Sequence, residues 1–89
     1  MNRNQVIIDV REPNEYASGH VDGAINIPPS ALMSGAKALN NLDRDTKLIV
    51  YCKTGSRSSV AIELLKRIGF TNTINGINAG HVEKNYLNS

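Results

Sequence analysis

Apolar positions along the chain fall into short unbroken runs separated by stretches of helical periodicity. Val6, Ile7, Ile8 and Val10 are interrupted only by Asp9, and Leu48, Ile49, Val50 and Tyr51 form a continuous run. Runs of this length with no polar alternation predict strands buried on both faces, as in a parallel sheet. Residues 24–27 predict a further short strand stopped by Pro28 and Pro29, and residues 73–75 a brief fourth. After the second run, Val60, Ala61, Leu64, Leu65 and Ile68 recur on one helical face with Lys66 and Arg67 off it. That spacing predicts a helix, ended by Gly69 as a left-handed cap and favoured by basic residues at the negative end of its dipole.

The remaining segments carry weaker patterns. Pro13 near the start, Glu15 in the first turn and Gly19 at the end predict one or two turns of helix after the first strand. Asp9, Arg11 and Glu15 are expected to fix this corner as a structural ion-pair or capping cluster. Gly19 and Gly23 bracket a tight connection in which His20 hydrogen-bonds or packs locally. Ser30 predicts an N-cap for a helix over residues 31–42, with Leu32, Ala36, Leu39 and Leu42 on one face. Gly35 weakens that helix by up to about 1 kcal/mol relative to alanine. Residues 76–80 read as a flexible loop, and a last helix starts at His81 with Val82 and Tyr86 on one side. Alternating strands and helices predict an α/β fold: a three-layer α/β/α arrangement with a small central parallel sheet, in one domain over residues 1–89.

Chemistry concentrates where the second apolar run ends. Cys52, the one cysteine of the chain, is followed by Lys53, Thr54, Gly55, Ser56 and Arg57 and then by the helix. Backbone N–H groups of a strand-to-helix turn point into its concave side, and the helix N-terminus adds partial positive charge. A free thiol titrates at about 8.5, and such surroundings lower it to roughly 3.5–7.5. Cys52 is therefore the candidate nucleophile, and Lys53, Thr54, Gly55, Ser56 and Arg57 are the candidate residues for holding an anionic substrate. A buried, unreactive cysteine is the alternative, but these polar neighbours suit a core poorly. Tyr51 points to the opposite face of its strand and is expected in the core, while Ser58 and Ser59 are expected to cap the helix. Ligands of open parallel sheets collect beyond the carboxyl ends of the strands, which makes Arg11 and residues 76–80 candidates for the pocket rim.

Composition narrows the partners. Ten basic and eight acidic residues give a net charge of +2, spread along the chain without a basic run interleaved with aromatics, so nucleic acid is not an expected partner. No transmembrane span is visible, and the absence of an apolar leader fits a cytoplasmic protein, with the periplasm open for a mature exported domain. His20 and His81 lie apart from each other and from Cys52, so no metal or other cofactor is expected. A lone cysteine permits no internal disulfide, and any thiol resolving an oxidised Cys52 must come from outside.

With these residues placed, the chain resembles the rhodanese family of sulfurtransferases in its small single-domain form. Asp9, Val10, Arg11, Glu12, Glu15 and Tyr16, then Gly19 through Pro28, resemble the family's N-terminal signature. Val50, Tyr51 and Cys52 followed by Gly55, Arg57 and Ser58 resemble its active-site loop. The resemblance implies that the Cys52 thiolate takes the outer sulfur of a small anionic donor such as thiosulfate and carries it as a persulfide. Cyanide or a thiol acceptor then removes it. Lys53 directly after the cysteine favours an anionic donor by charge. The protein is expected to act as a monomer. The chain departs from the family where many members carry a glycine pair and a tryptophan after the last strand; here Asn75 to His81 occupy that place and tryptophan is absent.

Two other classes compete. Dual-specificity phosphatases and arsenate reductases use a related loop in which five residues separate cysteine and arginine; here four residues separate Cys52 from Arg57, and Ser58 stands at the longer spacing. No aspartic acid beside the loop offers an obvious general acid for an alkoxide leaving group. A non-enzymatic persulfide carrier or protein-binding module is the other class, and the presence of both Cys52 and Arg57 argues against an inactive module.

Overall fold

The two apolar runs form the centre of the sheet. In the computed structural model, which describes residues 5–87, β1 (Gln5–Asp9) pairs in parallel with β3 (Lys47–Cys52) over five residue pairs, from Gln5 opposite Lys47 to Asp9 opposite Tyr51. The short strand β2 (Ile25–Asn26) adds to the outer side of β1, and β4 (Thr73–Asn78) to the outer side of β3. The result is a four-stranded parallel sheet in the order β2-β1-β3-β4.

Side chains of successive strand residues point to opposite faces, and both faces are covered. Ile8, Val10, Leu48, Val50 and Cys52 pack with Leu32, Leu39, Ala61 and Leu65 on one side. Ile7, Ile49 and Tyr51 pack with Val21, Ala24 and Val82 on the other. The first layer is supplied by α2 (Pro29–Met33) and α3 (Ser56–Ile68), and the second by α4 (Ala79–Tyr86) together with the connection into β2. The short helix α1 (Pro13–Ala17) lies at the edge where the strands end. This is the three-layer α/β/α arrangement that the sequence predicts.

Two local expectations differ. The helix expected over residues 31–42 divides: α2 starts at Pro29 behind Pro28, ends at Met33, and a separate 3₁₀ turn covers Lys37–Leu39. Gly35 and Ala36 both take left-handed backbone, with φ of 104° and 50°, which no continuous helix accommodates. The loop expected over residues 76–80 is instead the end of β4 and the start of α4, whose Asn78 side chain accepts the His81 N–H as an N-cap. Register explains why β4 is hard to read from sequence. Val50 pairs with Asn75 but Tyr51 pairs with Ile77, so Gly76 is an extra residue bulged out of the ladder. A side chain at Gly76 would meet Val82 Cγ2 at 2.6 Å and Ile49 Cγ2 at 3.0 Å, so α4 packs directly on bare backbone.

Candidate active site

Parallel pairing brings every strand's carboxyl end to one edge, and Cys52, the last residue of β3, stands there with 2% of its surface exposed. The chain then turns through Lys53 and Thr54, both exposed, to Gly55, whose φ of 94° needs a residue without Cβ. That turn swings the Gly55 N–H back to 3.2 Å from Cys52 Sγ, and the Ser58 N–H in the first turn of α3 approaches to 3.4 Å. The thiol thus sits in a nest of backbone donors at a helix N-terminus. Burial pushes the thiol up, but its hydrogen bonding with Ser58, Thr54 and Gly55 outweighs that and brings Cys52 down to about 7. A group titrating there is about half thiolate at neutral pH.

The structure places the other candidate residues unevenly. Gly55 supplies an N–H to sulfur. Thr54 Oγ1 and Ser56 Oγ lie 3.2 Å apart on the exposed rim, so their hydroxyls hydrogen-bond each other. Arg57 does not point into open space: its Nη1 and Nη2 donate to Glu15 Oε1 and Oε2 at 2.8 and 3.1 Å. Glu15 is in turn oriented by the capping box of α1, accepting the Glu12 N–H at 3.0 Å. The hydrogen bond from Arg57 and the Glu12 N–H hold Glu15 down to about 2, and the same carboxylate raises Arg57. An apolar groove of about 360 Å³ between α2 and α3 adjoins the loop at Ser56 and Arg57, but Cys52 is not among its walls.

Asp9 and Arg11 pair as expected, whereas Glu15 pairs with Arg57 across the site rather than with Arg11. The buried Asp9 carboxylate accepts from Arg11 Nη2 at 2.7 Å and from Tyr51 Oη at 2.9 Å. Tyr51 Oη accepts the Val21 N–H at 3.0 Å, and burial pushes its phenol up to about 12, keeping it a neutral donor. Tyr51 therefore stays in the core on the face opposite Cys52. Arg11 Nη2 also donates to the Gly19 carbonyl, so this cluster braces the turn after β1. His20 stacks on Tyr16 with ring centroids 3.6 Å apart and hydrogen-bonds the Tyr16 carbonyl, a local packing role.

Two features escape the sequence reading. Ser58 does not cap α3, whose N-cap is Gly55; its hydroxyl lies inside, 3.5 Å from Cys52 Sγ and 2.6 Å from Asn75 Oδ1. Asn75, in register with Val50 just before the bulge, also donates from Nδ2 to the Gly55 carbonyl at 3.0 Å. Gly76, a glycine inside the strand directly after Asn75, is the sequence signal for a bulge or a close approach at this point. Among the described residues no group of three or more His, Cys, Asp or Glu side chains could hold a metal ion, and no helix is long and apolar enough to cross a membrane.

A parallel α/β sheet that ends in a buried cysteine, wrapped by backbone donors at a helix start, defines a class of proteins built to present a thiolate. The chain belongs to the rhodanese-like domain family, whose family model matches residues 1–82. It is 42% identical over 72 residues to the probable adenylyltransferase/sulfurtransferase MoeZ of Mycobacterium tuberculosis, covering 81% of this chain and 18% of that protein. It is 40% identical over 68 residues to thiosulfate sulfurtransferase PspE of Escherichia coli, covering 76% of this chain and 64% of that protein. The chain thus spans less than two thirds of either relative. Among solved structures, a rhodanese with anions from E. coli superposes with a TM-score of 0.75 at 33% identity, over 86% of this chain and 89% of that one.

Proposed function

We propose that this protein is a thiosulfate sulfurtransferase in which Cys52 carries the sulfur. The observation that supports this best is the Cys52 nest: a thiol brought down to about 7, with the Gly55 and Ser58 N–H groups within 3.2 and 3.4 Å of its sulfur. The thiolate attacks the outer sulfur of thiosulfate. A Cys52–S bond forms, the sulfur–sulfur bond of the donor breaks, and sulfite leaves with the electron pair. The negative charge moves to the outer sulfur of the persulfide, where N–H groups of residues 53–58 stabilise it. No general base is required, because the nucleophile is already ionised. Cyanide or a thiolate then attacks the outer sulfur and returns the Cys52 thiolate, a double displacement with ping-pong kinetics.

Lys53 and Arg57 attract the sulfonate end of the donor, and Thr54 and Ser56 offer it hydroxyl donors. Arg57 acts under a constraint: Glu15 fixes its guanidinium while offsetting part of its charge. The assay is thiocyanate formation from thiosulfate and cyanide, with Cys52→Ser as control and p-nitrophenyl phosphate as a competing substrate. Turnover that disappears in Cys52→Ser supports the proposal. Phosphate ester hydrolysis without sulfur transfer would replace it with the phosphatase class, and binding of persulfide without turnover would leave a carrier.

A further inference from the structure

The hydrogen-bond directions around Ser58 are fixed by groups that have no choice. The Ile77 N–H can only donate, and it lies 3.0 Å from Asn75 Oδ1. The Gly55 carbonyl can only accept, and it lies 3.0 Å from Asn75 Nδ2. The Asn75 carboxamide therefore has one orientation, and Ser58 Oγ, 2.6 Å from Oδ1, must be the donor of that bond. Ser58 has one hydroxyl proton. Its other acceptors are farther: the Gly55 carbonyl at 3.1 Å, already engaged by Asn75 Nδ2 and the Ser59 N–H, and Cys52 Sγ at 3.5 Å.

We infer that Asn75 is a positioning residue that acts on Cys52 through Ser58 by holding its hydroxyl proton away from sulfur. With Cys52 protonated, the S–H donates to the Ser58 oxygen and every group is paired. With Cys52 ionised, the Ser58 lone pair faces a negative sulfur unless the hydroxyl turns, and turning gives up the bond to Asn75. Asn75 thereby keeps the thiolate less stabilised than its donors alone would make it. A nucleophilic thiol is best when it titrates near ambient pH, because a more stable thiolate attacks more slowly. When charge leaves the inner sulfur for the outer one, the hydroxyl returns to Asn75. This catalytic consequence rests on the proposed sulfur transfer, but the titration of Cys52 does not.

The test is the pH dependence of Cys52 alkylation by iodoacetamide, read by intact mass on the reduced full chain, in the parent, Asn75→Ala, Ser58→Ala and the double variant. Circular dichroism checks that each is folded. Asn75→Ala should lower the midpoint by about one pH unit, the size one hydrogen bond carries, and should have no further effect once Ser58 is alanine. Ser58→Ala alone should move the midpoint by less than about half a unit, because the donor it removes was held elsewhere. An unchanged or raised midpoint in folded Asn75→Ala would overturn the inference. So would the same downward shift in the Ser58→Ala background, or a rise of about one unit or more in Ser58→Ala alone, the mark of a hydroxyl that donates freely to sulfur. Because alkylation needs no sulfur donor, its result stands whatever the outcome with thiosulfate.

Discussion

Replacing Gly76 by alanine perturbs one point at which the fold and the site meet. The new Cβ would lie 2.6 Å from Val82 Cγ2, 3.0 Å from Ile49 Cγ2 and 3.4 Å from the Val50 carbonyl oxygen. The first distance is about an ångström inside the 3.5–4.0 Å optimum for carbon pairs. Relief is difficult: Val82 is fully buried and, as a β-branched residue in a helix, has one strongly preferred χ1 rotamer, and Ile49 is fully buried in the central strand. Overpacking of this kind costs about 1–3 kcal/mol, and in a domain of this size each 1 kcal/mol lowers Tm by about 4–8 °C. Gly76→Ala should therefore melt about 5–20 °C lower. Val82→Ala removes the methyl that collides, so the double variant should be more stable than the sum of the two losses by about 1 kcal/mol or more. Urea denaturation of the four proteins measures the free-energy losses and their coupling, and thermal melts measure the fall in Tm. A neutral Gly76→Ala, or strictly additive losses, would refute the claim that α4 packs on the bare backbone of the bulge.

Three other outcomes follow from the site. Tyr51→Phe keeps the ring but removes the hydroxyl that donates to buried Asp9 and accepts the Val21 N–H, leaving buried groups short of partners; urea denaturation should show a loss of about 1–3 kcal/mol. Glu15→Gln keeps an acceptor for Arg57 while removing the carboxylate charge beside it, so the KM for thiosulfate should fall several-fold with kcat little changed; a raised KM would contradict the assignment of Arg57 to donor attraction. Cys52 titrates lower when folded, at about 7, than a free thiol at about 8.5, so the unfolded chain binds more protons between these values and stability should rise with pH across that window. Melting at about pH 6 and about pH 9 should show this gain relative to Cys52→Ala, and equal pH dependence of the two proteins would contradict it.

How far the molecule can be read from its residues depends on whether neighbours in sequence or neighbours in space determine each feature. The strands β1 and β3 are legible because burial on both faces demands unbroken apolar runs, and α3 because its apolar stripe and Gly69 cap are local. The break at Gly35 and Ala36 is less so: the apolar spacing of Leu32, Ala36 and Leu39 continues through it, since all three point into one core from two separate turns. Only the first half of β4 is legible, because its bulge interrupts the period just where Gly76 suggests a loop. Within the site, the Cys52 turn is legible from its residue types alone. The partner of Arg57 is not, because Glu15 lies 42 positions away and meets it only when α1 reaches the edge where β3 ends. Asn75 is hidden for the same reason: its role depends on strand order, which sets β4 beside β3 and under the first turn of α3.

The central claim is that Cys52 carries a sulfur atom. Intact mass of the reduced protein, taken after incubation with thiosulfate and again after cyanide, tests it directly when run beside Cys52→Ser. The account predicts a gain of one sulfur atom that cyanide removes, absent from the variant. A folded protein whose mass stays unchanged with thiosulfate, or an adduct that persists in Cys52→Ser, would contradict it.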